Sequence, residues 1–221
     1  MLILGVDTSG KNGSIALVDF RTGPRTVEIV PLEGGTFSAQ LIPQISGMLD
    51  RHNLSKRDVD GFAAVSGPGS FTGLRVGLAA IKGLAEVLQK PIAAVSLLEA
   101  VARISGLNGE ITAMLDAWRN EIYIAHFSVS ESSFVAGSEA LIRELDIAGL
   151  SHDREIVTPE QKIVEAARGH GLRAQRVKYP GADFIAELGF EKINNGAVVS
   201  TFDLDANYIR RSDAEIKKGI V

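Results

Sequence analysis

The chain has 221 residues, 45% of them apolar and 23% charged, enough to bury one or two hydrophobic cores. Its formal net charge of -4 argues against a free-standing nucleic-acid binder, whose usual footprint is a basic face. Cysteine is absent, which excludes disulfides and thiolate metal sites and fits a reducing, cytoplasmic setting.

Leu2–Thr8 and Ser14–Phe20 are strand-like runs joined by S-G-K-N-G, which has the residues of a hairpin turn. The first run is broken by Asp7 and is too short for a signal peptide or a membrane span. Thr26–Leu32 predicts a third strand. Ser38–His52 then changes period, with Leu41, Ile42, Ile45, Met48 and Leu49 on one helical stripe. A strand at Gly61–Val65, a glycine turn, a helix over Leu74–Leu88 and a strand at Pro91–Val95 come next. A capping box, S-L-L-E at Ser96, starts a helix that runs to about Ile104. The order β-β-β-α-β-α-β-α predicts a mixed sheet with helices packed on it, closing a first lobe at residue 105. Beyond S-G-L-N-G, residues 106–221 predict a smaller α/β lobe. Its strands are expected at Ile111–Leu115, Glu121–Ser128, Glu155–Val157 and Arg173–Val177. Its helices are expected near Ala140–Leu145, from Pro159 to Arg168, and over Ala182–Asn194. The extreme C-terminal segment has the option of returning to the first lobe.

The richest segment for chemistry is Ser66–Gly77, S-G-P-G-S-F-T-G-L-R-V-G, where a strand turns into a helix. Glycine is needed where backbone takes positive φ or approaches another group closely. A glycine turn that opens a helix also aims free N–H groups outward, which suits an anion. A tight turn beneath a closely packed helix explains the same residues. No Gly-Lys-Ser/Thr comes after it, so the segment is not a P-loop, and Ser70 is not in a G-x-S-x-G elbow.

Asp7, Thr8, Ser9, Gly10 and Gly13 form the second constellation. An acid at the end of a strand, followed by a polar glycine hairpin, can hold a metal–nucleotide phosphate group. An ordinary hairpin accounts for it as well. In D-A-W-R-N-E-I-Y, Asp116 and Glu121 flank a turn and could pair for acid–base work, although turn chemistry is the simpler account. The four histidines lack the spacing that puts two ligands on one helical face, so no metal site and no catalytic residue is expected. Gly73, Gly77 and Ala80, with Ala79 and Gly83, make small ridges that let another helix come close.

Taken together, I-L-G-V-D-T-S…S-I-A-L, G-P-G-S-F-T-G-L-R-V-G, D-A-W-R-N-E-I-Y and the late D-A-N-Y-I-R-R at Asp205–Arg211 resemble the bacterial TsaB (YeaZ) family. The resemblance spans nearly the whole chain. It implies an α/β fold of the actin-like, sugar-kinase-like ATPase class, with two RNase H-like lobes and the second reduced. It implies a non-catalytic scaffold that binds TsaD as a heterodimer and works with TsaE. The complex transfers threonylcarbamoyl to N6 of adenosine 37 in ANN-decoding tRNAs, so tRNA is met through the complex and no membrane is involved. The pairing helices match Ser38–His52 and Thr72–Leu88. Leu41, Ile45, Leu49, Val76, Ala80 and Leu84 are the residues expected in helix packing or at the interface. Gly67, Pro68, Gly69, Ser70, Phe71, Thr72, Gly73 and Arg75 are expected to shape the junction. No cofactor is expected to bind firmly, ATP or ADP entering only in the assembled complex, and the free chain has the option of a homodimer.

The residues agree with a scaffold role. Where the catalytic relatives carry H-x-x-x-H, this chain reads V-S-L-L-E-A-V from Val95, and it has no Gly-Gly pair after Gly34. Two positions depart from the family pattern: Phe37 stands where His is frequent, and Trp118 displaces the Arg of D-A-R to Arg119. The alternative reading is a stand-alone kinase or ATPase of the same fold using Asp7 and its hairpin. A peptidase ranks behind it, for want of a metal or nucleophile motif.

Overall fold

The computed structural model describes residues 1–210; Arg211, the last residue of the D-A-N-Y-I-R-R motif, lies outside them, as does the rest of the expected second lobe to 221. The described chain divides into two units, Met1–Ser96 with Pro180–Asn207, and Leu97–Tyr179 with Tyr208–Arg210.

The first unit is built on a five-stranded sheet of order β3-β2-β1-β4-β5. Its strands are β1 (Leu2–Asp7), β2 (Gly13–Asp19), β3 (Arg25–Leu32), β4 (Gly61–Gly67) and β5 (Ile92–Ser96). The first three form an antiparallel meander, while β4 and β5 run parallel to β1 and reach their places through helices α1 (Phe37–Arg51) and α2 (Phe71–Leu88). Every residue of β1 is buried, as expected of a central strand covered on both faces. Gly5 and Thr8 show how the two faces are filled. A Cβ at Gly5 would lie 2.0 Å from the Ala182 carbonyl oxygen of helix α5 (Ala182–Asn194). Three residues on, on the opposite face, Thr8 meets Gly73 and Gly77 of α2. On α5, Gly189 lies so close to Ala63 of β4 that a Cβ there would sit 2.2 Å from the alanine methyl. Phe190, the next residue, stacks on Phe20 with ring centroids 4.0 Å apart.

The second unit repeats the arrangement with order β10-β9-β6-β7-β8. Its strands are β6 (Gly109–Asp116), β7 (Glu121–Ser130), β8 (Ser133–Arg143), β9 (Glu155–Thr158) and β10 (Ala174–Arg176). Again three antiparallel strands precede two that run parallel to the central one. Helix α3 (Leu97–Ile104) packs on β6 and β7, and α4 (Gln161–Gly169) on β9 and β10. Met114, Ile122, Ile124, Ile156, Ile163 and Val164 are at the centre of one core. Two sheets of this order make the two RNase H-like units expected.

Three expectations are corrected. Ala140–Leu145 is not a helix: residues to Arg143 complete β8, and a 3-10 turn covers Glu144–Gly149. Strand β8 is an edge strand with almost no buried residue, so it carries no two-residue alternation, and A-L-I-R-E-L reads as helical instead. The units do not part at residue 105, because α3 belongs with the second sheet. Nor does the second unit own everything after 106, since Pro180–Asn207, including α5, belongs to the first. No helix among the described residues is long and apolar enough to cross a membrane.

Candidate functional site

The glycine junction is shaped by close approach. Gly67 has φ +141°, and a Cβ there would lie 2.7 Å from the Asn207 carbonyl oxygen. The Asn207 N–H donates to the Ser66 carbonyl at 2.7 Å. The D-A-N part of the late motif therefore docks on the glycine turn, with Leu204 and Ala206 buried beside it. The Gly67–Pro68 peptide is cis. At Gly69 a Cβ would meet the Ser9 carbonyl oxygen at 2.5 Å, and the Ser70 N–H donates to that same oxygen at 2.6 Å. Ser70 is the N-cap of α2, its Oγ accepting from the Gly73 N–H at 3.3 Å, so the hydroxyl has a structural task. Phe71 and Thr72 open the helix, and the Arg75 guanidinium lies 3.8 Å from the centre of the Phe71 ring. Gly73 and Gly77 admit Thr8, whose Oγ1 donates to the Gly73 carbonyl at 2.8 Å. The first motif, the second and the D-A-N part of the fourth thus meet in one unit, a convergence that sequence spacing does not show.

The hairpin constellation is folded shut. Asp7, Thr8 and Ser9 are all buried. The Asp7 Oδ1 accepts from both the N–H and the Oγ of Ser9, at 2.8 and 2.5 Å. A Cβ on Gly13 would strike the Asp7 carbonyl and the Phe37 ring, and one on Gly34 would lie 1.7 Å from the Lys11 carbonyl oxygen. Gly10 is half-buried. Phe37, the unexpected residue in place of His, is 6% exposed and closes this turn from above. Gly34 and the Phe37 ring thus pack against the hairpin at Lys11 and Gly13, while Lys11 and Asn12 themselves remain exposed.

The helical faces sort differently from the sequence reading. Leu41, Ile45 and Leu49 are buried, so they belong to the interior of this unit and are unavailable to a partner. Ile42 is the large apolar residue that α1 exposes, at 48%, beside Ala39 and Pro43. On α2, Val76, Ala80 and Leu84 are half-buried, and between them Ala79, Gly83 and Val87 face outward. A Cβ at Gly83 would meet nothing within 4 Å. The two glycine ridges therefore differ: one locks α2 onto β1, and the other presents a smooth, shallow strip.

The third motif lies in the second unit. Trp118, Arg119 and Asn120 have φ of 56°, 57° and 59°, a left-handed run of three side-chain-bearing residues. Each such residue costs roughly 1 kcal/mol or more. The turn is pinned by its neighbours. Asp116 Oδ1 accepts from the Trp118 N–H at 2.9 Å, and the Asn120 carbonyl accepts from the Glu144 N–H at 2.8 Å. Asp116 is paired with Lys162 at 2.9 Å, and Glu121 with Arg210 at 3.4 Å, so the two carboxylates are drawn to separate cations and form no acid–base pair. Arg210, from the late motif, also donates to the Ala117 carbonyl at 3.1 Å.

Among the described residues, no group of three or more His, Asp or Glu is placed to hold a metal ion. A family model described as TsaD: tRNA N6-adenosine threonylcarbamoyltransferase matches residues 9–196. The tRNA threonylcarbamoyladenosine biosynthesis protein TsaB of Escherichia coli K12 is 32% identical over 97% of this chain and 96% of its own length. The protein of the same name from Bacillus subtilis 168 is 28% identical over 98% and 97%. Among solved structures, YeaZ from Pseudomonas aeruginosa superposes with a TM-score of 0.73 at 25% identity, covering 94% of this chain and all of that one.

Proposed function

The chain belongs to the TsaB (YeaZ) family, and we propose that it serves tRNA threonylcarbamoyladenosine biosynthesis as a non-catalytic partner of TsaD. The observation that carries this reading is the outward strip of α2. Ala79, Gly83 and Val87 rise from a helix otherwise anchored by its other glycine face, with Ile42 exposed on the neighbouring α1. Small residues on an exposed helix face let a second helix approach to short interaxial distance. The filled hairpin supports the non-catalytic half of the reading, since Asp7 is committed to Ser9 and Phe37 covers the turn. TsaE completes the assembly, ATP or ADP enters only there, and the same strip gives the free chain a route to a homodimer. A stand-alone kinase or ATPase would need the closed hairpin to open.

Calorimetric titration with TsaD tests the partner surface. Gly83→Glu is expected to weaken binding at least tenfold without lowering the melting temperature, because the new side chain enters open space in the free chain and removes a glycine from the helix interior. Reconstituted threonylcarbamoylation with TsaD, TsaE and the adenylate is expected to require this chain. A reaction that proceeds equally well without it would overturn the proposal.

A further inference from the structure

The β6–β7 turn of the second unit holds the place that the β1–β2 turn holds in the first: each links the central strand to its antiparallel neighbour. In the first unit the connection into α1 covers that turn with Gly34 and Phe37. In the second, the corresponding connection is the short 3-10 turn at Glu144–Gly149, and among the described residues nothing comparable closes over Trp118–Asn120. A cavity of about 610 Å³ lies beside the turn, lined in part by Arg119, Asn120, Glu121, Arg143, Leu145 and His170.

We propose that this turn and the neighbouring cavity contact unpaired bases of the tRNA substrate, the exposed Trp118 of the turn and Arg143 of the cavity lining each offering a flat face for stacking. The proposal rests on the tRNA-modification reading above. Trp118 is 51% exposed, on a backbone held in an unfavourable left-handed run, and no feature of the fold's interior requires an indole there. Arg143 is tied in its own plane by a fork to Asp146, at 3.1 Å from Nε and 2.8 Å from Nη2, yet its side chain remains 68% exposed. A guanidinium fixed in this way has most of its charge answered and its face open, which suits a base better than a phosphate. Glu121, also in the lining, lies 3.4 Å from Arg210. Six of its eight lining residues are polar or charged, which is unlike the apolar anchor pocket of a protein interface. Stacking of one base on an aromatic or guanidinium face is tolerant of sequence and needs no phosphate contact from this chain, so in a chain of net charge -4 the tRNA backbone is left to the rest of the complex.

Trp118 is the sole tryptophan of the chain, so the site carries its own reporter. With 5-fluorotryptophan in this chain alone, the 19F resonance of the complex with TsaD and TsaE should shift and saturate as an ANN-decoding tRNA transcript is added. Trp118→Leu should raise KM for tRNA roughly five- to tenfold, the low end of one lost stacked base, at unchanged kcat. Trp118→Tyr should restore it. The slope of affinity against salt should be the same in both variants, because stacking releases no counterions. A resonance that tRNA does not move, in a complex that still needs this chain for modification, overturns the site and leaves the partner role standing. A shift produced in full by TsaD and TsaE without RNA assigns the turn to a protein contact, and one produced in full by ADP assigns it to a free nucleotide; either overturns the proposal. Modification that proceeds without the chain defeats the partner role instead.

Discussion

In the first unit, the turn after the central strand is packed against Gly34 and Phe37, with Asp7 and Ser9 bonded to each other and buried. In the second, the corresponding turn stands clear, with Trp118 half exposed beside an open cavity. Strand order and pairing sense are the same in the two sheets, so the contrast comes from the element placed after the third strand. That element is a 15-residue helix in one case and a six-residue 3-10 turn in the other. Reducing one connecting element is enough to turn a closed hairpin into an open one.

The comparison can be broken most severely at Gly73. A Cβ there would lie 2.0 Å from the Thr8 carbonyl oxygen, and neither backbone can yield without moving β1. Gly73→Val is expected to cost about 4 kcal/mol or more, measured by urea unfolding, with loss of the first unit's amide protection. Phe37→Ala should come next, at about 3 kcal/mol from the lost burial and the cavity left behind. In hydrogen exchange it should speed exchange around Gly13, where the ring packs, and leave residues 118–121 unchanged.

A smaller effect should separate the units by pH. Asp19, at the end of β2, accepts a fork from Arg21 at 2.9 and 2.6 Å, and that hydrogen bonding holds its carboxyl well below the ordinary carboxylate value. Its contribution to stability is present above the unfolded value near 4 and is lost as pH falls towards the folded one. Glu160, which precedes α4, is pushed up by burial, partly offset by the hydrogen bond from Thr158. Its contribution has the opposite sense: it is present at low pH, where the carboxyl is protonated, and is lost as pH rises through the folded value. Protection factors corrected for intrinsic exchange should show Asp19→Asn flattening the acid limb in β1 and β2. Glu160→Gln should flatten the limb above pH 4 in β9 and α4.

Much of this architecture is legible in the sequence. The strands of the first sheet and the α2 helix are given by period and glycine placement, and α5 has the predicted bounds Ala182–Asn194. What the sequence does not carry is where α5 goes. Its destination is set by Gly5 meeting Ala182 and by Gly189 meeting Ala63, contacts between residues far apart in the chain. The motif residues are legible as a set, but their tasks are not. Leu41, Ile45 and Leu49 lie on the same stripe whether that stripe faces a core or a partner, and only packing places them inside. Strand β8 is hidden because an edge strand with no fully buried residue leaves only a weak periodic signature.

The division of helices between the sheets has a consequence during synthesis. Helix α3, encoded directly after β5, packs on strands that have not yet been made, and the face of the first sheet that α5 covers waits for residues beyond 180. At about 5–20 residues per second, that face emerges from the ribosome and stays uncovered for on the order of ten seconds. A nascent chain of this protein therefore presents a bare apolar sheet to any chaperone at the ribosome exit while the whole second sheet is still being translated.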